Sequence, residues 1–203
     1  MKKIVILNYG MGNLGSVCNM FKKIGASVQL TNVPEDLANA AKILLPGVGA
    51  FDQAMKRINE SGFREILDKK VLIDKVPILG ICLGMQLLTR GSEEGQLPGL
   101  GWIAADTLRF PVQSGLKVPH MGWNLVRPSN LSPLTAGLPD EPRFYFVHSY
   151  RVCVDDETDS ILKCHYGIDF DAAIQHDNIF GAQFHPEKSH KFGMQFLENF
   201  AKL

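Results

Sequence analysis

Cys82 is the residue whose surroundings most clearly predict chemistry. It lies between Gly80 and Gly84, where an apolar run changes into a helical pattern. Small residues on both sides of a nucleophile allow a sharp strand-to-helix turn that lifts the side chain above a sheet. An isolated cysteine is more often a small buried apolar residue. We interpret the other three cysteines in that way: Cys18, Cys153 and Cys164.

A thiol at this position needs a basic partner. Lowering a cysteine pKa from about 8.5 to about 6 requires roughly 3.4 kcal/mol. The start of a helix supplies about 0.3–1 kcal/mol, and up to about 2 kcal/mol where it is partly buried. A histidinium ion must therefore contribute the rest.

Among the six histidines of the chain, His185 is the best candidate for this base. Pro186 follows it and keeps it extended, so that the side chains of His185 and Glu187 project to the same side. A carboxylate on one imidazole nitrogen orients the ring and leaves the other nitrogen for the thiol. We predict a catalytic triad of Cys82, His185 and Glu187. His148, which has no adjacent acid, is the reserve candidate for the base.

Gly10, Gly12 and Gly15 follow an apolar run with the G-x-G-x-x-G spacing of a dinucleotide-binding loop. That fingerprint also requires an acidic residue at the end of the second strand, which here ends in Thr31. The nearest acids follow Pro34 and suit the N-terminus of their own helix. We favour a tight turn, and keep a nucleotide-binding oxidoreductase as the alternative from a different class.

The elements that would position these residues alternate regularly in the first half. Helical patterns separate four apolar, β-rich segments: Lys3–Leu7, Ser27–Leu30, Lys42–Leu45 and Pro77–Ile81. The first helical pattern ends at Gly25, and Pro34 opens another. Continuous apolar strands alternating with helices predict a parallel sheet covered on both faces. Active-site loops are then expected at the carboxyl ends of the strands.

The second half is richer in strand patterns. Its predicted strands are Trp102–Phe110, Trp123–Val126, Phe144–Tyr150, Ile161–His165, Ala172–Gln175 and Ile179–Phe184, the last two forming a hairpin. Met194–Phe200 is a closing amphipathic helix. No linker or repeat separates the halves. We predict one α/β domain over residues 1–203, an open, mostly parallel mixed sheet flanked by helices, with an antiparallel hairpin portion in the second half.

Composition excludes several functions. The chain has 21 basic and 21 acidic residues, so it lacks the basic surface expected of a nucleic-acid binder. Its four cysteines have neither zinc-site spacing nor the density of a disulfide scaffold. The apolar segments are too short for a signal peptide or a membrane span. We expect a cytoplasmic protein with reduced thiols, no metal and no cofactor.

Three segments together resemble, in order and spacing, the class I (triad-type) glutamine amidotransferases: Pro46–Gly49, Gly80–Gln86 and Phe184–Glu187. The resemblance implies a glutaminase that forms a glutamyl thioester on Cys82. Leu83, at the helix start, and Val48 would donate the oxyanion-hole hydrogen bonds. Gln86 lies one helical turn after Cys82 and would face the same pocket. The implied glutamine contacts are Gly47, Gly49, Gln86, Ser149 and Tyr150.

Val48 departs from the wider family, many members of which have glycine there. If the loop must turn an N–H inward with positive φ, valine resists this at a cost of about 1–3 kcal/mol. We predict that the oxyanion hole is incomplete in the isolated chain and forms when a partner docks.

Further segments at positions 8–14, 119–124, 145–150 and 187–189 resemble one branch of the family. In that branch the glutaminase supplies ammonia to a separate cyclase subunit, a (β/α)8 barrel, in a heterodimer. The implied interface candidates are Asn13, Met121, Trp123, Tyr145 and Lys188. A core position is the alternative for Met121 and Trp123. Other open alternatives are the glutaminase of another class I amidotransferase, such as that of anthranilate synthase, a thiol peptidase, and a catalytically silent regulator.

Overall fold

The computed structural model describes residues 3–112 and 116–203, which form an α/β fold around one large sheet. The strands are β1 Ile4–Leu7, β2 Val28–Thr31, β3 Lys42–Gly47, β4 Ile78–Cys82, β5 Ala105–Arg109, β6 His120–Pro128, β7 Arg143–His148, β8 Tyr150–Val154, β9 Ser160–Tyr166, β10 Ile168–His176 and β11 Ile179–Ala182. The α-helices are α1 Leu14–Lys23, α2 Phe51–Glu60, α3 Phe63–Asp68, α4 Leu83–Leu87 and α5 His190–Lys202.

The main path of the sheet has the strand order β2-β1-β3-β4-β11-β10-β9-β6-β7, and β8 joins β5 to β10. Neighbouring strands from β2 to β11 pair in parallel, and the other pairs are antiparallel. The predicted mixed α/β sheet is therefore confirmed, with the antiparallel portion in the second half of the chain.

Two apolar layers cover the parallel strands. In β1, Ile4 and Ile6 belong to one core cluster and Val5 and Leu7 to the other. Successive side chains of a strand point to opposite faces. Because both faces are covered, all four residues are buried. This explains why β1, β3 and β4 appear in the sequence as nearly continuous apolar runs rather than as alternating patterns.

Some predicted elements differ from the structure. The segment from Pro34 forms a 3-10 helix, Pro34–Asn39, and not an α-helix. Only Ala105–Arg109 of the predicted strand Trp102–Phe110 is a strand. The predicted strand Phe144–Tyr150 was wrong: Ser149 interrupts it, because β7 pairs with β6 whereas the next strand pairs with β5 and β10. In the described part of the chain, no helix is long and apolar enough to cross a membrane.

Candidate active site

Cys82 lies at the sharp turn where β4 passes into α4. Its backbone has φ 54° and ψ −110°, which is unusual for a residue with a side chain. A Cβ atom at Gly84 would lie 1.8 Å from the Leu45 carbonyl oxygen, and one at Gly80 would lie 2.5 Å from the Gly84 carbonyl oxygen. The two glycines are therefore required because main-chain segments approach each other closely around the turn.

His185 and Glu187 form a buried pair at the end of the neighbouring strand. His185 Nδ1 lies 2.8 Å from Glu187 Oε1, and the two side chains are 3% and 2% exposed. Pro186–Lys188 is a 3-10 turn, so a turn and not a continuing extended segment brings the two side chains together. The main-chain N–H of His185 donates to the Tyr145 carbonyl (2.9 Å), and the Ser189 hydroxyl donates to the main-chain carbonyl of His185 (2.7 Å).

The charges around His185 favour its protonated form. Burial by itself lowers the pKa of the imidazole, but interactions with the negative charges of Cys82 and Glu187 outweigh burial and raise the pKa to about 10. Because Glu187 is hydrogen-bonded to Nδ1 of His185, the Nε2 atom of the same ring is left for the Cys82 sulfur. In the described part of the chain this buried nitrogen has no hydrogen-bond partner, so it remains available to the thiol. The arrangement suits a thiolate–imidazolium pair.

His148, the reserve candidate for the base, has no nitrogen left for the thiol. Its Nδ1 lies 2.7 Å from the Tyr150 carbonyl oxygen, and its Nε2 lies 3.0 Å from His120 Nδ1. Because both ring nitrogens have partners within the fold, the geometry favours His185 as the base.

Cys82 lines a cavity of about 350 Å³. Its walls contain Val48, Gly49, Cys82, Leu83, Gln86, Glu94, Pro119, Val147, His148, Ser149, Tyr150 and His185. Most of the site residues predicted from the sequence therefore lie around one cavity. Leu83 begins α4, so its N–H has no carbonyl partner within that helix. Among residues 3–112 and 116–203, no cluster of His, Cys, Asp and Glu side chains is arranged to bind a metal.

Gly47 is the predicted glutamine contact that does not line the cavity. It pairs with Cys82 in the β3–β4 register. A Cβ atom there would lie 2.6 Å from the Tyr9 hydroxyl, which donates a 2.8 Å hydrogen bond to the Pro46 carbonyl. The absence of a side chain at Gly47 thus makes room for the tyrosine that holds the 46–49 loop.

Gln86 is already oriented by hydrogen bonds. Its Nε2 donates to Gln183 Oε1 (3.1 Å) and to the Tyr150 carbonyl (3.3 Å). Gln183 Nε2 in turn lies 3.8 Å from the Cys82 sulfur. Sequence reasoning missed Gln183, although a glutamine within the apolar run at the end of β11 was an available signal.

Glu94 is a second residue that sequence reasoning missed. Its side chain lines the cavity, and its Oε2 accepts a 3.1 Å hydrogen bond from the Phe51 N–H at the start of α2. Burial raises the pKa of this carboxyl above its usual value. Glu94 lies in a loop without periodicity, so nothing in the local sequence distinguished it.

Four of the interface candidates lie close together beside the His185 turn. Met121 and Trp123 are 62% and 46% exposed, so the alternative core position is wrong. The Tyr145 ring lies 6.2 Å from that of Trp123, and Lys188 Nζ lies 5.4 Å from the Tyr145 ring centre. The His190 ring stacks on Trp123 at 5.3 Å. We call these five residues the aromatic patch.

The glycine motif forms a turn that Arg57 fills. Gly10 and Gly12 have φ values of 83° and 124°, and Arg57 Nη1 donates to the Gly10 carbonyl at 2.6 Å. Asn13, the remaining interface candidate, is exposed at the N-cap of α1 and makes no side-chain capping bond. Asp36 accepts hydrogen bonds from nearby side chains of β2. The geometry therefore favours the tight turn over a dinucleotide site.

Comparison with protein families gives a match to the model described as glutamine amidotransferase class-I, over residues 5–203. The chain is 50% identical over 200 residues to imidazole glycerol phosphate synthase subunit HisH 2 of Pseudomonas aeruginosa, covering 98% of this chain and 99% of that protein. It is 52% identical over 199 residues to the subunit of the same name from Methanococcus maripaludis, covering 98% of each.

Solved structures give a consistent result for the fold. A crystal structure of a glutamine amidotransferase superimposes with a TM-score of 0.76 at 18% identity, covering 98% of this chain and 99% of that one. The PurLQS structure from Thermotoga maritima also gives 0.76 at 18% identity, covering 100% and 99%. At this identity the likeness concerns the fold alone.

Proposed function

Because this chain belongs to the glutamine amidotransferase class-I family, we propose that Cys82, His185 and Glu187 hydrolyse glutamine to glutamate and ammonia. The observation that carries this assignment is the arrangement at the cavity. A cysteine at a strained strand-to-helix turn lies beside a histidine whose other nitrogen is 2.8 Å from a buried carboxylate. Membership of this family favours the glutaminase over the two alternatives from the sequence analysis, an oxidoreductase and a thiol peptidase.

The reaction begins with the Cys82 thiolate and the His185 imidazolium. The sulfur attacks the side-chain amide carbon of glutamine, a C–S bond forms, and the carbonyl electron pair moves to oxygen. Collapse of this intermediate breaks the C–N bond as His185 gives its proton to the departing ammonia. Neutral His185 then takes a proton from the water that attacks the thioester. Glutamate leaves, and the thiolate–imidazolium pair is restored.

Two main-chain N–H groups are the proposed oxyanion donors. Leu83 follows the nucleophile directly, and Val48 lines the same cavity from the loop after β3. One donor of this kind is worth about 3–4 kcal/mol of transition-state stabilisation. Glu187 keeps the His185 ring in the orientation that serves both proton transfers.

The 46–49 loop supports our proposal that the oxyanion hole is completed by a partner. In the described part of the chain, positive φ among non-glycine residues occurs at Lys75, Cys82, Asp177 and His190, and so not at Val48. Gly49 carries the positive φ, 110°. Val48 is also 43% exposed, where a docking partner can contact it. Docking would supply the free energy needed to turn the Val48 N–H inward, about 1–3 kcal/mol.

We propose that the cavity binds the amino-acid head of glutamine. Gln86 and the main chain of Gly49, Ser149 and Tyr150 line the cavity wall. Glu94 adds a carboxylate that matches the positive charge of the substrate's α-ammonium group. A charge-assisted hydrogen bond of this kind is stronger than a neutral one.

The names of the relatives support a specific destination for the ammonia. We propose that the chain is the glutaminase subunit of imidazole glycerol phosphate synthase, in a heterodimer with the (β/α)8-barrel cyclase subunit. The cyclase uses the ammonia on a phosphoribulosyl formimino aminoimidazole carboxamide ribonucleotide. The products are imidazole glycerol phosphate, for histidine biosynthesis, and an aminoimidazole carboxamide ribonucleotide. The aromatic patch and Asn13 are the proposed docking residues, and ammonia would cross this interface without entering bulk water.

We also propose that residues 1–203 form a single glutaminase domain that works in the cytoplasm. The family model spans residues 5–203. All four cysteines are free thiols, as a reducing compartment requires.

The test is glutamate release from glutamine by the purified chain, measured alone and with the cyclase subunit and its nucleotide ligand. We expect strong activity only in the complex, and none with Cys82→Ala. Equal activity in the lone chain would contradict the partner-completed oxyanion hole while leaving the glutaminase. No turnover by the wild-type complex would contradict the proposed function itself.

A further inference from the structure

His120 and His148 form a buried pair at the wall of the glutamine cavity. His120 Nδ1 lies 3.0 Å from His148 Nε2, and His148 Nδ1 lies 2.7 Å from the Tyr150 carbonyl oxygen. The amide nitrogen of Asn124 lies 3.3 Å from His120 Nε2. The triad chemistry uses none of these groups, so their arrangement needs a separate explanation.

The direction of each hydrogen bond follows from its neighbours. The Tyr150 carbonyl can only accept, so the proton of neutral His148 must be on Nδ1, and its Nε2 must accept from His120. Neutral His120 therefore carries its proton on Nδ1 and accepts at Nε2 from Asn124. The orientation of that amide is fixed independently, because Asn124 Nδ2 also donates to the His165 carbonyl (3.0 Å).

The two imidazole rings are enclosed by aromatic side chains. His120 stacks between Phe146, at 4.8 Å, and Tyr166, at 4.0 Å. Burial lowers the pKa of His120 to about 4 and that of His148 to about 3. Both rings are therefore neutral at neutral pH, which is the state that the one-way hydrogen-bond order requires.

We propose that His120 and His148 are positioning residues that fix the Tyr150 carbonyl at the wall of the glutamine cavity. The same carbonyl accepts the 3.3 Å hydrogen bond from Gln86 Nε2, so both His148 and Gln86 hold it in place. His148 itself lines the cavity. This inference rests on the proposed function, because it assigns the two histidines to glutamine binding and not to the chemical step.

The kinetic test compares two substitutions of His148 in the complex with the cyclase subunit. His148→Leu removes the donor to Tyr150, and should raise KM for glutamine about tenfold, the effect of one lost buried hydrogen bond. Its kcat should change less than about threefold. His148→Asn places an amide N–H near the Nδ1 position, and should restore most of the affinity. An unchanged KM in His148→Leu, or equal impairment of both variants at equal thermal stability, would overturn the inference.

A second measurement does not depend on turnover or on the folding of a variant. The ring-nitrogen NMR signals of the wild-type chain should show the Nδ1–H tautomer for both histidines, with no titration between about pH 5 and pH 8. An Nε2–H tautomer, or titration of either ring in that range, would overturn the hydrogen-bond order. A wild-type complex that leaves glutamine unchanged would instead contradict the proposed function, whatever the tautomers are.

Discussion

Gly84→Ala should move α4, the helix that begins directly after the nucleophile. The added Cβ would lie 1.8 Å from the carbonyl oxygen of Leu45 and 2.9 Å from its carbonyl carbon. An ordinary carbon–oxygen contact needs about 3.3 Å, so α4 and β3 would have to separate by about 1.5 Å. Leu45 is fully buried within the sheet, and no flexible side chain can absorb this displacement.

The expected consequences of Gly84→Ala can be estimated for both stability and activity. Overpacking of this kind costs about 1–3 kcal/mol, which corresponds to a Tm lower by about 2–12 °C in a chain of this size. A shift of about 1 Å in a catalytic group lowers turnover about 100-fold. Thermal unfolding and glutamate release by the complex measure the two effects.

Gly15→Ala is the matched control for this experiment. Gly15 lies within α1, and no atom lies within 4 Å of the place where its Cβ would be. Alanine is favoured over glycine in a helix by about 1 kcal/mol, so this variant should keep its activity and have an equal or higher Tm. If Gly84→Ala behaves like Gly15→Ala, the close approach of α4 to β3 is refuted.

Three further predictions concern the site. Glu187→Gln should lower kcat by about 10²–10⁴ with little change in KM, because the His185 ring loses its orienting carboxylate; wild-type turnover would contradict this role. Cys82→Ser should lower the pKa of His185 below about 10, because burial remains while the thiolate is lost, and a histidine NMR titration that gives the wild-type value would contradict the ion pair. Tyr9→Phe should destabilise the fold by about 1–3 kcal/mol, because the Pro46 carbonyl loses its 2.8 Å donor; an unchanged unfolding curve would contradict that contact.

Three strands of the first half, β1, β3 and β4, could be predicted because they are buried on both faces. Strand β3 is buried along its whole length, and such a segment appears in the sequence as an uninterrupted apolar run. Strand β8 was not recognised as separate from β7. Its burial pattern lacks a continuous apolar run, and the break at Ser149 depends on which strands pair across the sheet.

The candidate site likewise contains residues that local sequence predicts and residues that it does not. Cys82 and His185 were predicted from local signals, the glycines around a turn and the His-Pro-Glu order. Glu94 and Gln183 reach the cavity through the path of a loop and the pairing of β11, which local sequence does not encode. Gly47 was predicted to contact substrate, whereas the structure gives it a packing role behind the cavity.

The parallel pairing of β4 with β11 has a consequence for synthesis of the chain. The nucleophile ends one of these strands, and the base follows the other after a short connection, although Gln183 and Cys82 are 101 positions apart in the sequence. Pairings between such distant segments form late, since a long loop must close first. A nascent chain that has emerged only as far as Cys82 therefore carries the thiol without its imidazole. Glutamine hydrolysis becomes possible only after the chain as far as Glu187 has left the ribosome and β11 has joined the sheet.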